Sequence, residues 1–319
     1  MDVKWGPLTT DDASAWAEFA AAVEAVDRTG SHVTVEQMAE RLANPLLDLR
    51  EGTLAARQDD RIVALGLAPV RQAADPVHLM DLWGGAVHPD HRRRGYGRRI
   101  IDWSLRTAPM LHERHYPGKP LHLLLHVDDG NHDLATLAEE AGFAPERVFQ
   151  GRRRDLTLPI PLPKVPDGVT IVTWTPELDE QAREVRNAAF GDHWGNTPHT
   201  PESWKHLITG TTAFRPDGSF LATADGTAVG CLLTHYREAD TAATGVREAW
   251  IQIIATVGEW RGRGVASALI AHALTSFKAQ GYGTAGLSVD AANGTGAVAI
   301  YERAGFATFK CVTTYVHAY

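Results

Sequence analysis

Residues 255–266 of the chain read ATVGEWRGRGVA, a glycine- and arginine-rich turn between two apolar segments. Before the turn, residues 249–256 form a mostly apolar, isoleucine-rich run, which predicts a strand buried on both faces. After the turn, apolar residues recur every four positions and predict one face of an amphipathic helix: Val265, Leu269, Ala273 and Phe277. A buried strand that leads through a tight turn into a helix is typical of mixed α/β or α+β layers.

The turn also has the chemistry of an anion site. Backbone N–H groups at a helix start are unpaired and lie at the positive end of the helix dipole. Gly262 and Gly264 would let a phosphate approach the main chain, and Arg261 and Arg263 would add charge-assisted hydrogen bonds. The turn lacks the Lys-Ser/Thr ending of a P-loop and the spacing of a dinucleotide GxGxxG motif. It predicts a diphosphate ligand with no required metal, although a tight turn alone would explain a single copy.

A second copy of the turn lies in the first half of the chain. Residues 86–97 read AVHPDHRRRGYG, and Ala86 lies 169 positions before Ala255. Residues 137–143 read LAEEAGF and match IYERAGF at 300–306, 163 positions later. Because two landmarks recur in the same order, a duplicated domain explains the pattern better than chance.

A proline-rich segment separates the two halves. Residues 158–168 read LPIPLPKVPDG, and prolines at alternate positions favour an extended, semi-rigid path. We therefore expect domains at 1–158 and 169–319, joined by a linker at 159–168. An irregular loop inside one domain is the alternative, which the resemblance between the halves disfavours.

Periodicity predicts the same coarse order of elements in each half. For the second half, the predicted strands are 169–174, 220–224, 228–236, 249–256 and 285–289, with closing strands in 306–319. The predicted helices are 180–190, 201–209, the helix that begins at Val265, and 297–304. A hairpin should turn at Asp225 and Gly226. The arginine run at 152–154 is interpreted as a solvated charge cluster on an edge strand.

Composition excludes several classes of protein. The 319 residues favour two domains, and 44% hydrophobic with 22% charged residues indicates a packed fold. A net charge of −8 argues against a general nucleic-acid binder. Cys231 and Cys311 lie in no zinc-like cluster, so we expect no metal site and no disulfide framework. Without a secretory signal or an apolar run of about 18 residues, the chain is expected to be cytoplasmic and not to bind membranes.

The turn, together with NGTGAVAIYERAGF at 293–306, resembles the GNAT superfamily of acyl-CoA-dependent N-acetyltransferases. The resemblance covers nearly the whole chain as a tandem of two such domains. In layout the chain is similar to mycothiol synthases and related actinobacterial tandem acetyltransferases. The resemblance implies an α+β fold in which each domain is a splayed mixed β-sheet flanked by helices, with CoA between the fourth and fifth strands.

Residue by residue, the resemblance implies a site in the second half. The CoA diphosphate would be bound by the turn, which comprises Arg261, Gly262, Arg263, Gly264, Val265 and Ala266. The pantetheine arm would be bound by the preceding strand and a downstream amide: Ile254, Ala255, Thr256 and Asn293. Tyr301 would protonate the departing thiolate. The corresponding cofactor residues of the first half are Val87, Arg92, Arg93, Arg94, Gly95, Tyr96 and Gly97.

The family pattern is broken at two positions. The first half has Ala138 where Tyr301 stands in the second, and alanine cannot donate a proton, so we expect the second domain to be the catalyst. Many relatives place a glutamate at the position of Trp250, which in the first half is Asp81. The candidate general bases are Glu248, two residues earlier on the same strand face, and His193 in a loop. Nearby Gln252 could only orient a water molecule.

The sequence thus predicts an enzyme that transfers an acetyl group from acetyl-CoA, as co-substrate and without a metal, to a primary amine of a small molecule. Tyr301 is the predicted general acid. The alternative is a catalytically silent acyl-CoA-binding sensor or scaffold, suggested by Ala138 and Trp250. The acceptor and the oligomeric state are not encoded in any motif, because acceptor pockets are built from variable loops.

Overall fold

The computed structural model describes residues 2–74, 76–161, 164–191 and 193–319. The chain forms two compact units. Unit 1 comprises Met1–Val148 with Val312–Tyr319, and unit 2 comprises Phe149–Cys311. The mixed α/β fold class that the sequence predicts, with two domains of one layout, is confirmed.

Unit 1 is a sheet with helices. Its helices are α1 (Ala13–Asp27), α2 (Val35–Leu42), α3 (Tyr96–His115) and α4 (His132–Glu140). Its strands are β1 (Lys4–Gly6), β2 (Thr53–Gln58), β3 (Arg61–Leu67), β4 (His78–Val87) and β5 (Leu121–Asp128), and strand β6 (Ala144–Asp155) begins here. Strands β1 to β5 are neighbours in that order, and β4 and β5 are parallel.

Unit 2 repeats this plan. Its helices are α5 (Asp179–Ala189), α6 (Pro201–Trp204), α7 (Glu238–Thr244), α8 (Val265–Ala279) and α9 (Ala297–Arg303). Its strands are β7 (Val169–Thr173), β8 (Phe220–Ala224), β9 (Thr227–His235), β10 (Glu248–Thr256) and β11 (Thr284–Asp290), and β12 (Ala307–Ala318) begins here. Strands β7 to β11 are neighbours in that order, and β10 and β11 are parallel.

Each sheet is completed by a strand from the other half of the sequence. In unit 2, residues Phe149–Asp155 of β6 pair antiparallel with all of β11. In unit 1, residues Val312–Ala318 of β12 pair antiparallel with β5. The predicted domain bounds at 158 and 169 stay a prediction. The compact units are divided at other positions, between Val148 and Phe149 and between Cys311 and Val312, because each includes the strand that completes its sheet. The proposed linker 159–168 includes Leu162 and Pro163, which lie outside the described residues.

Helix α8 covers one face of the unit 2 sheet, as its periodicity predicted. Val265, Leu269 and Phe277 are at most 1% exposed and pack with Leu232 of β9. The neighbours of Leu232 on β9, Cys231 and Leu233, face the opposite side and belong to the cluster covered by α5. Both faces of the central strands are therefore buried, which explains their continuous apolar runs.

The predicted hairpin is also present. Asp225 and Gly226 have φ values of 49° and 79°, the left-handed conformations that a two-residue type I′ turn requires. Two details differ from the prediction. Helix α7 was not predicted, and residues 307–318 form one continuous strand where several closing strands were expected.

The interpretation of residues 152–154 as a solvated edge cluster is wrong. Arg152 and Arg154 are each 4% exposed. Arg152 pairs with Glu302 at 3.1 Å, and Arg154 donates to the carbonyl oxygens of Ala304 and Pro159. These guanidinium groups satisfy backbone and carboxylate oxygens near the end of α9, a tertiary role that the charge run alone does not reveal.

Strands β10 and β11 diverge after four paired residues. Their parallel pairing runs from Glu248 with Thr284 to Ile251 with Leu287 and then stops. Beyond that point β10 pairs only with β9, and β11 pairs only with β6. A register shift between Ile251 and Ile253 leaves Gln252 without a partner residue on β9. The result is a gap between two strands of one sheet, open toward the start of α8.

None of the helices in the described ranges combines the length and the apolar content that crossing a bilayer requires.

Candidate active site

A cavity of about 470 Å³ occupies the gap between β10 and β11 in unit 2. It contains most of the site residues predicted for the second half: His193, Ile254, Ala255, Thr256, Arg261, Gly262, Gly264, Val265, Ala266, Asn293 and Tyr301. The predicted residues Arg263 and Glu248 do not line it. The splayed strands, the turn before α8 and helix α9 therefore converge on one space.

The turn between β10 and α8 has the conformation that glycine favours. Gly262 and Gly264 have φ values of 73° and 90°, and Gly264 is the N-cap of α8. An added Cβ at Gly262 would meet no atom within 4 Å, so the main chain at this point is open. Open backbone N–H groups at the start of a 15-residue helix suit a diphosphate.

The two arginines of the turn have different surroundings. Arg261 holds the turn against its own strand, because its Nε lies 3.3 Å from the carbonyl oxygen of Thr256. Its Nη2 also donates to the carbonyl oxygen of Ala189 at 2.5 Å. Arg263 places its guanidinium over the ring of Trp260, 5.0 Å from the centroid. Among the described residues these partners are carbonyl oxygens and an indole ring rather than carboxylates, so both arginines keep their net positive charge for an anion.

The edge of β10 along the gap offers polar groups to a ligand. Residues 252–256 have a neighbouring strand on one side only, which leaves main-chain groups free on the other. The Thr256 hydroxyl is buried and has no hydrogen-bond partner among the described residues. Because buried polar groups are nearly always hydrogen-bonded, this orphan indicates a missing partner in the cavity.

Tyr301 projects from α9 into the cavity. The residue is 6% exposed, and its ring packs edge-on against Phe306. Burial raises the pKa of the Tyr301 hydroxyl above its usual value. No described side chain or main-chain group hydrogen-bonds to that hydroxyl. The hydroxyl is therefore protonated at neutral pH and free to donate to a ligand.

His193 and Asn293 meet on the cavity wall. The Nδ1 of His193 lies 3.2 Å from the carbonyl oxygen of Trp194, which can only accept, so Nδ1 carries the proton in the neutral ring. The Nε2 of His193 is then an acceptor, and it lies 3.3 Å from Nδ2 of Asn293. The Oδ1 of Asn293 accepts from the backbone N–H of Thr295 at 2.8 Å, which fixes the orientation of the amide.

Glu248 is placed at the start of β10, outside this cavity. Its carboxylate pairs with the guanidinium of Arg153 and accepts from the Thr284 hydroxyl at 3.1 Å. The expected shared face is present, since Glu248 and Trp250 both border Gly286 on β11. Glu248 as a base stays a prediction, and its carboxylate already has two partners.

Phe149 and Asp290 are among the cavity residues that were not found from the sequence. Phe149 reaches the cavity from β6, ahead of the linker, through the strand exchange. Asp290 ends β11, lines the cavity and is only 4% exposed. An acidic residue directly after a buried strand was a readable signal for Asp290. For Phe149 no local signal existed, because strand pairing across the repeat is a tertiary property.

In the corresponding turn of unit 1, the arginine side chains already bind other groups of the protein. Arg92 repeats the bond of its counterpart, with Nε 3.1 Å from the carbonyl oxygen of Val87, but it also pairs with Asp27 at 2.8 Å. Arg93 pairs with Asp133 at the start of α4 at 2.5 Å. Arg94 donates to the carbonyl oxygen of Asp90 at 2.9 Å. Acidic partners thus neutralise two of the three cations expected to bind phosphate.

The rest of this turn supports the start of helix α3 and its packing. Gly95 has a φ of 80° and is the N-cap of α3. Tyr96 packs edge-on against Trp5, with ring centroids 5.5 Å apart. A Cβ at Gly97 would lie 3.2 Å from Leu137 of α4, so the helix start and α4 are in close contact. Ala138, which corresponds to Tyr301 in the repeat, is fully buried.

The profile of the Acetyltransferase (GNAT) family matches residues 19–143 and again residues 180–306. The chain belongs to the GNAT acetyltransferase family. It is an acetyl-CoA-dependent N-acetyltransferase built as a tandem of two GNAT domains, which confirms both the duplication and the family resemblance predicted from the sequence.

Two relatives of this GNAT chain carry the same name. Mycothiol acetyltransferase from Streptomyces coelicolor is 31% identical over 303 residues, covering 92% of this chain and 88% of that protein. Mycothiol acetyltransferase from Thermobispora bispora is 35% identical over 222 residues, covering 69% of this chain and 70% of that protein.

Solved structures show the same fold. A GCN5-related N-acetyltransferase from Sphaerobacter thermophilus has a TM-score of 0.76 and 25% identity, over 99% of this chain and 95% of that one. A tandem GNAT protein from the clavulanic acid biosynthesis pathway has a TM-score of 0.71 and 17% identity, over 99% and 98% of the two chains. The second likeness concerns the fold alone.

The GNAT co-substrate fits the cavity of unit 2. The arm of acetyl-CoA carries amide groups that can hydrogen-bond along a strand edge, and β10 offers one at residues 252–256. The unpartnered Thr256 hydroxyl lies on the same wall. The diphosphate would meet the open main chain at Gly262. Within the described ranges, no three His, Cys, Asp or Glu side chains are grouped as metal ligands would be.

In unit 1, the carboxylate of Asp81, at the position that corresponds to Trp250, is bound by two neighbouring side chains. Asp81 pairs with Arg71 at 2.8 Å and with Nε2 of His126 at 3.0 Å. Burial alone would raise the pKa of Asp81, but the charge of Arg71 and the hydrogen bond from His126 outweigh it and hold the pKa well below its usual range. Such a carboxylate is a weak proton acceptor.

Proposed function

We propose that unit 2 transfers the acetyl group of acetyl-CoA to a primary amine of a small molecule, with His193 as general base and Tyr301 as general acid. The observation that carries this proposal is the cavity between β10 and β11, where the diphosphate turn, the imidazole of His193 and the hydroxyl of Tyr301 converge. A base and an acid in one cavity match the two proton transfers that the reaction needs.

The base must accept a proton from the attacking amine. Nε2 of His193 has this capacity because Nδ1 is fixed as the protonated nitrogen by the carbonyl of Trp194. The amide of Asn293 shields Nε2 at 3.3 Å, a long contact that an incoming amine can replace. Glu248 has no comparable free acceptor, since its carboxylate pairs with Arg153 and the Thr284 hydroxyl.

The acid must deliver a proton to the leaving sulfur. As the new C–N bond forms and the C–S bond breaks, the hydroxyl of Tyr301 donates its proton to the thiolate, and the phenolate then recovers a proton from solvent or from the base. The raised pKa keeps the hydroxyl protonated until the thiolate develops.

Negative charge that develops on the acetyl oxygen needs a fixed donor. The register shift at Gln252 leaves the main chain there without a partner residue on either neighbouring strand. We assign the backbone N–H groups around Gln252 to this role, because preorganised main-chain donors stabilise a developing oxyanion without reorganisation.

The first amines to test follow from the relatives. Both are named mycothiol acetyltransferases, so a thiol-bearing small-molecule amine is the acceptor class with most support. Other amino-sugar conjugates and amine antibiotics complete a rational panel. The pocket walls that select among them come from loops, which the family likeness does not specify.

Thiol release tests the proposal. The protein is mixed with acetyl-CoA and each amine, CoA and acetyl-CoA are separated by chromatography and quantified by their adenine absorbance, and the acetylated amine is identified by mass. We expect amine-dependent CoA release with one acetamide formed per thiol. Tight acetyl-CoA binding without amine-dependent release across the panel would favour the alternative of a silent acyl-CoA-binding sensor or scaffold.

A further inference from the structure

A second cavity of unit 2 lies between the proline-rich segment and helix α8. Its volume is about 480 Å³. One wall is formed by four described residues of this segment: Pro161, Lys164, Pro166 and Asp167. The other wall is formed by the start of α8, with Arg263, Gly264, Ser267, Ala268 and Ala271.

This cavity continues from the one between β10 and β11. Gly264 and Ser267 line both of them, so the two spaces meet at the first turn of α8. At that rim, Pro166 lies 3.9 Å from the position that a Cβ on Gly264 would take. A ligand whose diphosphate lies on the main chain at Gly264 would therefore extend toward the proline-rich segment.

The second cavity carries two basic side chains without acidic partners. Lys164 and Arg263 stand on opposite walls, and neither forms an ion pair with a carboxylate of a described residue. Asp167 lies on the same wall as Lys164, so the net formal charge of the lining is +1. The remaining lining is proline, alanine, glycine and serine, so small and mostly apolar residues lie beside the cations.

We propose that this cavity binds the adenosine end of CoA, with Lys164 and Arg263 contacting the 3′-phosphate. The inference rests on the proposed binding of acetyl-CoA by unit 2. Beyond its diphosphate, CoA carries an adenosine whose ribose holds one further phosphate. The proline and alanine side chains suit the adenine, and the two cations suit a phosphate dianion. The proline-rich segment would then be a part of the co-substrate site as well as a connection.

The 3′-phosphate can be tested by itself, because dephospho-CoA differs from CoA only by this group. We would measure dissociation constants for both ligands by calorimetry, using the full chain and its Lys164→Gln variant. Lys278→Gln, at an exposed position near the end of α8 and outside both cavities, is the matched control. Glutamine keeps most of the length of lysine and removes only its charge.

We expect Lys164→Gln to weaken CoA binding about fivefold and dephospho-CoA binding less than twofold, as loss of one charge-assisted contact would do. Lys278→Gln should change neither value. If Lys164→Gln weakens both ligands equally, or neither, the proposed subsite is wrong even though CoA binds. If the unaltered protein binds neither ligand, the proposed function itself fails.

Discussion

The side-chain nitrogen Nδ2 of Asn293 lies 3.3 Å from Nε2 of His193. The sequence assigned these residues to different tasks, one to the cofactor arm and one to the acceptor pocket. Their contact places both at the junction of those two regions. Because Oδ1 of Asn293 is held by the backbone of Thr295, the amide can only donate toward the imidazole, which keeps Nε2 as an acceptor.

Replacing the proposed base should slow chemistry without preventing binding. We expect His193→Ala to lower kcat by about two to four orders of magnitude, the usual contribution of a positioned base, while the dissociation constant for acetyl-CoA changes little. Added imidazole should restore part of the rate, because it can enter the space left by the side chain. Steady-state kinetics with and without imidazole provide the measurement.

Two matched variants show whether the effect belongs to His193. His206→Gln changes an exposed histidine outside the cavity and should leave kcat unchanged. Glu248→Gln removes the rival carboxylate and should also leave most of the activity. A His193→Ala enzyme with a normal rate, next to an inactive Glu248→Gln enzyme, would reverse the assignment of the base.

If Tyr301 is the general acid, removing its hydroxyl should lower the reaction rate without disturbing the fold. Tyr301→Phe keeps the ring that packs against Phe306 and removes only the hydroxyl, which has no partner in the described structure. We expect kcat to fall about 10- to 1000-fold with unchanged thermal stability and acetyl-CoA affinity. Tyr282→Phe, in the same core but outside the cavity, is the control. Equal rates for the two variants, with chemistry limiting, would contradict the role of Tyr301.

Much of unit 2 could be predicted from local pattern. The strand before the turn, helix α8 and the hairpin at Asp225 and Gly226 each have a period or turn residues that agree with the fold. Helix α7 could not be predicted this way, since residues 238–244 are polar or small and lack an apolar stripe. Its existence depends on the chain that surrounds it.

The exchange of strands could not be predicted for a different reason. A strand's sequence states which of its faces is apolar but not which strand lies beside it. Phe149 therefore enters the unit 2 cavity from a segment that the sequence assigned to the first domain. The burial of Arg154 is similar, because its partners are carbonyl oxygens of Ala304 and Pro159, which any sequence would provide.

Buried His78 and His235 and partly buried His199 predict a pH dependence of stability. Burial lowers the pKa of His78, His199 and His235 to about 4, whereas an unfolded chain titrates histidine near pH 6.5. Between about pH 6.5 and 4 the unfolded state binds more protons, so the free energy of unfolding falls as the pH decreases. The slope is at most about 1.4 kcal/mol per pH unit for each histidine, and full stability is retained above this window.

Urea denaturation at pH 7.5, 5.5 and 4.5 measures this slope. In the protein, Nε2 of His235 donates to the carbonyl oxygen of Ile208 at 3.0 Å, and the glutamine of His235→Gln can still donate there. Because this variant has one histidine fewer to titrate, its slope should be smaller by up to about 1.4 kcal/mol per pH unit. His206→Gln at an exposed site should not change it. A slope of zero across the window, or the same slope in His235→Gln as in the unaltered protein, would show that these histidines do not control the acid sensitivity.

The two units should differ in co-substrate binding, and two glycines offer a matched test. Gly95 and Gly264 are the N-caps of α3 and α8, with φ values of 80° and 90°, and neither has a neighbour closer than 3.9 Å to an added Cβ. Alanine at either position thus imposes a similar backbone strain of about 1 kcal/mol. Gly264, however, borders the cavity of the proposed CoA site, whereas the arginines beside Gly95 are paired with Asp27 and Asp133.

We expect Gly264→Ala to weaken CoA binding about tenfold and to lower thiol release accordingly, because its Cβ would occupy the surface on which the diphosphate lies. Gly95→Ala should lose similar stability yet keep most of the activity. Thermal melts confirm the matched strain, and titration with CoA gives the affinities. Should Gly95→Ala abolish turnover in a folded protein while Gly264→Ala is tolerated, unit 1 would be the catalyst, and the ion pairs of Arg92 and Arg93 would have to open for the co-substrate to bind.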